Sequence, residues 1–196
     1  ELDAAFDELR ALAHGVATLR ELTPRTRDFL VARGEQLSAR IVVAADGVDA
    51  RHAPGGEKPS ARGGPKTVLY VGRCDPYKNL PGLVAAFAQL VRAGGVDARL
   101  RIVGSPDARY PEAGETARRL GVADRVEWSG YLDDAGLLRA YQDADALALL
   151  SRYEGFGLPP LEAMACGAPV VASDTSSLPE VLGDAALLVD PASVDA

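Results

Sequence analysis

The chain has 196 residues, of which 47% are hydrophobic and 25% charged, with 20 Gly and 13 Pro, the composition of a folding globular domain. Its net charge of -7, with Lys and Arg scattered rather than grouped, excludes a nucleic-acid footprint and electrostatic docking on acidic lipid. No apolar run approaches the ~20 residues of a membrane span, so a soluble domain is expected, and two cysteines, too few for a disulfide framework, suit a reducing cytoplasm.

A helix with Leu2, Phe6, Leu9 and Leu12 on one face opens the chain, followed by Val16 to Leu19, a capped helix from Thr23 and a strand at Ile41 to Ala44. One such βαβ unit cannot cover its own apolar faces, so residues 1–50 read as the remnant of another, incomplete domain. Ala53 to Pro65 then holds four Gly, three Pro and a Ser, which suits a mobile connection and places a hinge or linker over 51–66. The only methionine is Met164, so a chain starting at Glu1 is expected to be processed or truncated.

From Thr67 onward β-rich runs alternate with helical patterns. Strands are expected at Thr67 to Val71, Arg99 to Val103, Arg125 to Ser129, Ala146 to Leu150, Pro169 to Ala172 and Ala186 to Val189, giving an α/β fold with a doubly wound parallel sheet. The clearest helix runs from Asn79, a capping residue, to Ala93, with Leu83, Val84, Phe87, Leu90 and Val91 on one stripe. Others are expected at Pro111 to Leu120, Asp133 to Ala144 and Pro160 to Ala165.

Ligands of open parallel sheets bind beyond the carboxyl ends of the strands, so two loops carry the functional reading. In the first, Val71 to Asn79, Gly72 admits a ligand to the backbone, Arg73 offers a planar fork of donors, and Lys78 a point charge beside a helix start. These parts suit a diphosphate; alternatively, Arg73 and Lys78 simply pair with Asp75. A G-x-G-x-x-G fingerprint is absent after this strand, which argues against a nicotinamide or flavin. In the second loop, Ser151 to Gly167, Gly155 and Gly157 would expose amides, and Glu154 and Glu162 could accept hydrogen bonds from sugar or ribose hydroxyls. Alternatively, Glu162 complements a helix dipole and Glu154 is solvated. The spacings of Cys74, Cys166, His14 and His52 build no metal site. Cys74 reads as a small filler and Cys166 as core.

Glu154 and Glu162, with seven residues between them in E-G-F-G-L-P-P-L-E-A-M-A-C-G-A-P-V-V-A-S, resemble the signature of family 4 retaining glycosyltransferases on the GT-B fold. V-G-R-C-D-P-Y-K-N at 71–79, L-R-I-V-G-S at 100–105, W-S-G-Y-L at 128–132 and S-S-L-P-E-V-L-G-D-A-A-L-L-V at 176–189 extend the resemblance over 67–191, the Rossmann-like C-terminal half of that fold. T-L-R-E-L-T-P-R-T-R-D-F-L and R-I-V-V-A-A-D-G-V-D resemble, more loosely, the last piece of its N-terminal acceptor domain, with Arg20 and Asp46 where Ser and Asn are more usual.

The resemblance implies roles residue by residue. Arg73 and Lys78 would hold the diphosphate, Glu162 the ribose, and Glu154 with the backbone of Phe156, Gly157 and Leu158 the sugar and its phosphate. The base would lie between Gly104 and Ser105 on one side and Gly130, Tyr131 and Leu132 on the other. It also implies a nucleotide diphosphate sugar as substrate, GDP-mannose by likeness to the mannosyl- and rhamnosyltransferase branch, with a glycan or lipid-linked saccharide as acceptor and no metal or cofactor. Catalysis would need the missing N-terminal domain. Two other readings remain: a nucleotide-sugar binding module without transfer activity, and a GT-B nucleotide-sugar epimerase.

Overall fold

The computed structural model describes residues 47–193, and the elements expected before them lie outside the described residues. Among those residues six strands form one sheet: β1 (Lys66–Val71), β2 (Ala98–Val103), β3 (Val126–Gly130), β4 (Ala146–Leu149), β5 (Val170–Ser173) and β6 (Leu187–Val189). Their order is β3-β2-β1-β4-β5-β6 and every pairing is parallel, the doubly wound arrangement expected from the alternating pattern. Each predicted strand is present to within one residue at either end.

Burial explains why the strands were legible. Successive side chains of a strand point to opposite faces, yet Leu69 and Tyr70 are both fully buried, as are Leu147, Ala148 and Leu149 to within a few per cent. Both faces are therefore covered, and the central strands read as continuous apolar runs. The covering helices are α1 (Leu80–Ala93), α2 (Glu112–Arg119), α3 (Asp134–Asp143), α4 (Leu158–Ala165) and α5 (Leu178–Leu182).

Several local expectations are corrected. The buried stripe of α1 is Leu80, Leu83, Val84, Phe87 and Ala88, while Leu90, at its margin in the last turn, is 40% exposed. Asn79 precedes α1 in the left-handed region, and its side chain makes no cap. Its Nδ2 donates instead to the Pro191 carbonyl at 2.9 Å, tying the segment after β6 to the start of α1. Helix α4 begins at Leu158, two residues before the expected Pro160, and Pro159 and Pro160 sit in its first turn, where a missing N–H costs nothing. Helix α5 was not anticipated.

The Gly- and Pro-rich segment expected to be mobile is tied along the domain. Gln142 Nε2 donates to Ala53 O at 2.9 Å, Lys58 Nζ to Ala144 O at 2.7 Å, and Ser60 Oγ to Asp145 Oδ1 at 2.5 Å. Ala144 follows the last residue of α3, where a cation meets the negative end of the helix dipole. Burial works against the Asp145 charge, but hydrogen bonds from Ser60, the Thr67 amide and Lys66 hold its carboxyl below the usual range.

Candidate functional site

Because β1 lies between β2 and β4, the chain leaves its carboxyl end toward one side of the sheet and returns from β3 to the other, opening a crevice between the ends of β1 and β4. The two loops singled out from sequence flank it, and Arg152 N joins them by donating to Tyr77 O at 2.7 Å.

Beside this crevice, at the ends of β1, β2 and β3, lies a cavity of about 430 Å³. Its lining brings together Gly72, Arg73, Gly104, Ser105, Tyr131 and Leu132, all of them candidate residues. Gly104 is required by the close approach of two loops, since a Cβ there would overlap the Gly72 carbonyl oxygen. Beneath the loop, buried Tyr70 donates its hydroxyl to Arg73 O at 2.7 Å, and burial pushes that phenol well above its ordinary range. Tyr131 stands at the rim, 88% exposed.

Sequence reasoning missed Asp75, Asp107, Arg109 and Leu137 in the same lining. Arg109 donates to both oxygens of Asp107, the shorter bond being 2.6 Å, and these bonds with that from the Arg109 amide hold the Asp107 carboxyl down at about 2. Cys74, a small buried side chain as expected, also lines the cavity, and its Sγ lies 3.3 Å from Ser105 O. Burial pushes its thiol up, and does the same for core Cys166.

The charged candidates separate into three places. Arg73 pairs with Asp75, Nε to Oδ2 at 2.9 Å, as the structural alternative had it, but its side chain is 76% exposed at the cavity. Lys78 does not pair with Asp75. Its Nζ donates to both oxygens of Glu154, at 2.7 and 2.8 Å, and the two side chains are only 16% and 10% exposed, so Glu154 is not a solvated surface group.

Phe156, Gly157 and Leu158 lead from Glu154 into α4. Gly157 occupies the cap position at φ 96°, where a Cβ would come within 2.6 Å of the buried Leu178 side chain. Because Pro159 and Pro160 have no N–H, the amides at this helix start are those of Gly157, Leu158 and Leu161.

Glu162 lies apart from both groups. It is the fifth residue of α4, and its Oε2 accepts from Tyr141 Oη at 2.6 Å while Oε1 lies 4.0 Å from His52 Nε2. Tyr141 follows Leu137 by four positions on α3, so this carboxylate sits about one turn along the helix face that also lines the cavity. Burial, then the bond to Glu162, pushes the Tyr141 phenol far above its ordinary range. Among the described residues no group of three or more His, Cys, Asp and Glu side chains is arranged to hold a metal.

The sequence profile of the family described as "Glycosyl transferases group 1" matches residues 56–196, well over half of the chain. The chain belongs to the group 1 glycosyltransferases. Among curated relatives, the O-antigen chain mannosyltransferase B of Escherichia coli is 40% identical over 128 residues, covering 65% of this chain and 34% of that protein. The D-inositol 3-phosphate glycosyltransferase of Segniliparus rotundus is 40% identical over 163 residues, covering 77% of this chain and 36% of that protein. Among solved structures, the sucrose-phosphate synthase of Thermosynechococcus elongatus superposes with a TM-score of 0.68 at 28% identity, over 89% of this chain and 46% of that one. The sheet is thus the GT-B-like, Rossmann-type α/β fold of these glycosyltransferases. The chain spans about a third of the length of the curated relatives it matches. No described helix of this group 1 domain is long and apolar enough to cross a membrane.

Proposed function

We propose that this chain is the donor-binding part of a retaining glycosyltransferase that takes a nucleotide diphosphate sugar, with GDP-mannose as donor and a glycan or lipid-linked saccharide as acceptor. The observation that carries the proposal is the cavity at the carboxyl ends of β1, β2 and β3, lined by Gly72 and Arg73 of the same loop whose Lys78 pairs with Glu154. The base would enter between Gly104 and Ser105 and the Tyr131 and Leu132 turn. The ribose would meet Glu162, and the diphosphate Gly72, Arg73 and Lys78. The sugar would lie against Glu154 and the amides of Phe156, Gly157 and Leu158. The mannosyl part of this donor is supported by the E. coli relative, which is a mannosyltransferase.

In this scheme the anomeric carbon gains oxocarbenium character as the nucleoside diphosphate departs. The negative charge growing on the leaving oxygen meets the Arg73 fork, the Lys78 ammonium and the amides opening α4, without a metal or cofactor. The acceptor oxygen attacks on the face the diphosphate leaves, so configuration is retained. Residues 1–50 would be the tail of an acceptor domain, 51–66 the linker and 67–196 the donor domain, acting in the cytoplasm or at the inner face of the membrane. The isolated chain then binds donor but transfers little or nothing.

Transfer from GDP-mannose by the complete protein, scored by product linkage, tests the reading. Arg73→Ala should lower kcat by about 10² to 10³-fold, the usual cost of one preorganised donor. A kcat within about threefold of the parent refutes the Arg73 role. Transfer by the 196-residue chain that Glu162→Ala abolishes refutes the need for a second domain.

A further inference from the structure

The loop that carries Glu154 is held from the side by three consecutive hydroxyl side chains after β5. Thr175 Oγ1 donates to Ser151 O at 3.3 Å. Ser176 Oγ accepts from the Glu154 amide at 2.9 Å, and Ser177 Oγ donates to Glu154 O at 3.0 Å and to Phe156 O at 3.3 Å. Both backbone polar groups of Glu154, its N–H and its carbonyl, are thereby engaged by residues more than 20 positions away.

Two features show that this grip is specific to the loop. Consecutive side chains of an extended segment point to opposite sides, but Ser176 adopts φ 52°, in the left-handed region, and the turn brings both hydroxyls to the same residue. Ser177 precedes α5 in the pattern S-x-x-E, the arrangement in which a serine caps a helix and a glutamate reaches back. Its side chain makes no cap, and its hydroxyl goes to the Glu154 loop instead.

We infer that Ser176 and Ser177 are positioning residues: they fix Glu154, whose carboxylate in turn holds the Lys78 ammonium in the crevice where the terminal phosphate of a nucleoside diphosphate would lie. The inference rests on the donor-binding reading above and adds to it how Lys78 is aimed. A lysine ammonium on four flexible carbons has no direction of its own, so a bidentate carboxylate anchored through its backbone supplies that direction. Neither serine touches the nucleotide, and a nucleoside monophosphate, lacking the distal phosphate, is indifferent to them.

The test is calorimetric titration of the chain with GDP and GMP, UDP and UMP, and ADP and AMP, on the parent and on Ser176→Ala, Ser177→Ala and Ser177→Thr. For the base that binds, the parent should prefer the diphosphate. Ser177→Ala should weaken the diphosphate about tenfold while leaving the monophosphate within about twofold, and Ser177→Thr, which keeps the hydroxyl, should restore the preference. Ser176→Ala should act in the same direction and serves if Ser177→Ala does not fold. An unchanged preference in both alanine variants overturns the inference, as does equal weakening of both nucleotides, which would mark a general loosening. A parent that binds diphosphate and monophosphate equally overturns it through the Lys78 role. A parent that binds no nucleotide overturns the donor-binding reading itself.

Discussion

Replacing Lys78 by Met removes one partner from an ion pair whose side chains are 16% and 10% exposed. The Glu154 carboxylate then loses donors at 2.7 and 2.8 Å and keeps its desolvation. Breaking a fully buried pair in this way costs about 3 to 5 kcal/mol, and the residual contact of both groups with water reduces this to about 2 to 3 kcal/mol. In a chain of this size such a loss lowers Tm by about 4 to 12 °C. The double variant Lys78→Met/Glu154→Leu removes the stranded charge as well and should recover most of the loss, so the two substitutions are strongly non-additive. Thermal and urea unfolding of the parent, both single variants and the double variant measure the coupling. A double variant as unstable as the sum of the singles, or Lys78→Met within about 0.5 kcal/mol of the parent, would refute a desolvated, mutually dependent pair.

Gly157→Ala should destabilise the domain by about 2 to 4 kcal/mol in urea unfolding, from the left-handed backbone and the overlap with buried Leu178; a loss below about 0.5 kcal/mol contradicts this. Asp107 has its folded pKa depressed from 3.8 to about 2, so its pairing with Arg109 is complete above the unfolded value and is lost as pH falls through the folded one. A carboxyl carbon titration by NMR should give a midpoint near 2, and a midpoint at the ordinary value contradicts the pair. Cys74 and Cys166 should react slowly with a thiol reagent in the native chain and rapidly in urea, with nucleotide slowing Cys74 alone, since only Cys74 lines the cavity. Rapid native labelling of both would show that the thiols are not buried as described.

The sheet was readable because central parallel strands are covered on both faces and so appear as unbroken apolar runs, Val68 to Val71 and Ala146 to Leu149 among them. Helix α5 was not, because five residues are too few for a helical period to emerge. Asn79 is a capping residue by type, but its amide found a tertiary partner in Pro191, and the connection over 53–65 looked mobile because composition is blind to partners such as Ala144 and Asp145.

The same limit governs the site. Position at a strand's end is local information and identified Gly72 and Arg73, whereas Gly104, Ser105 and Tyr131 were reached only through the resemblance to the glycosyltransferase signature. Asp107 and Arg109 sit in S-P-D-A-R, which reads as an ordinary turn. The Lys78–Glu154 pair joins residues 76 positions apart, and only the adjacency of β1 and β4 creates it. Glu162 was singled out by its spacing from Glu154, but its bond to Tyr141 across two helices was not foreseeable from either residue.

The most direct test of the central claim is calorimetric titration of this chain with GDP, UDP and ADP, repeated on Arg73→Ala and Glu162→Ala. Ligand at about 100 times its Kd should add ~2.7 kcal/mol of stability, seen in parallel as a rise in Tm. The donor-binding reading predicts that one of the three, GDP, binds with a single site and that both substitutions weaken it. No binding by any of them, or binding that neither substitution alters, would contradict it.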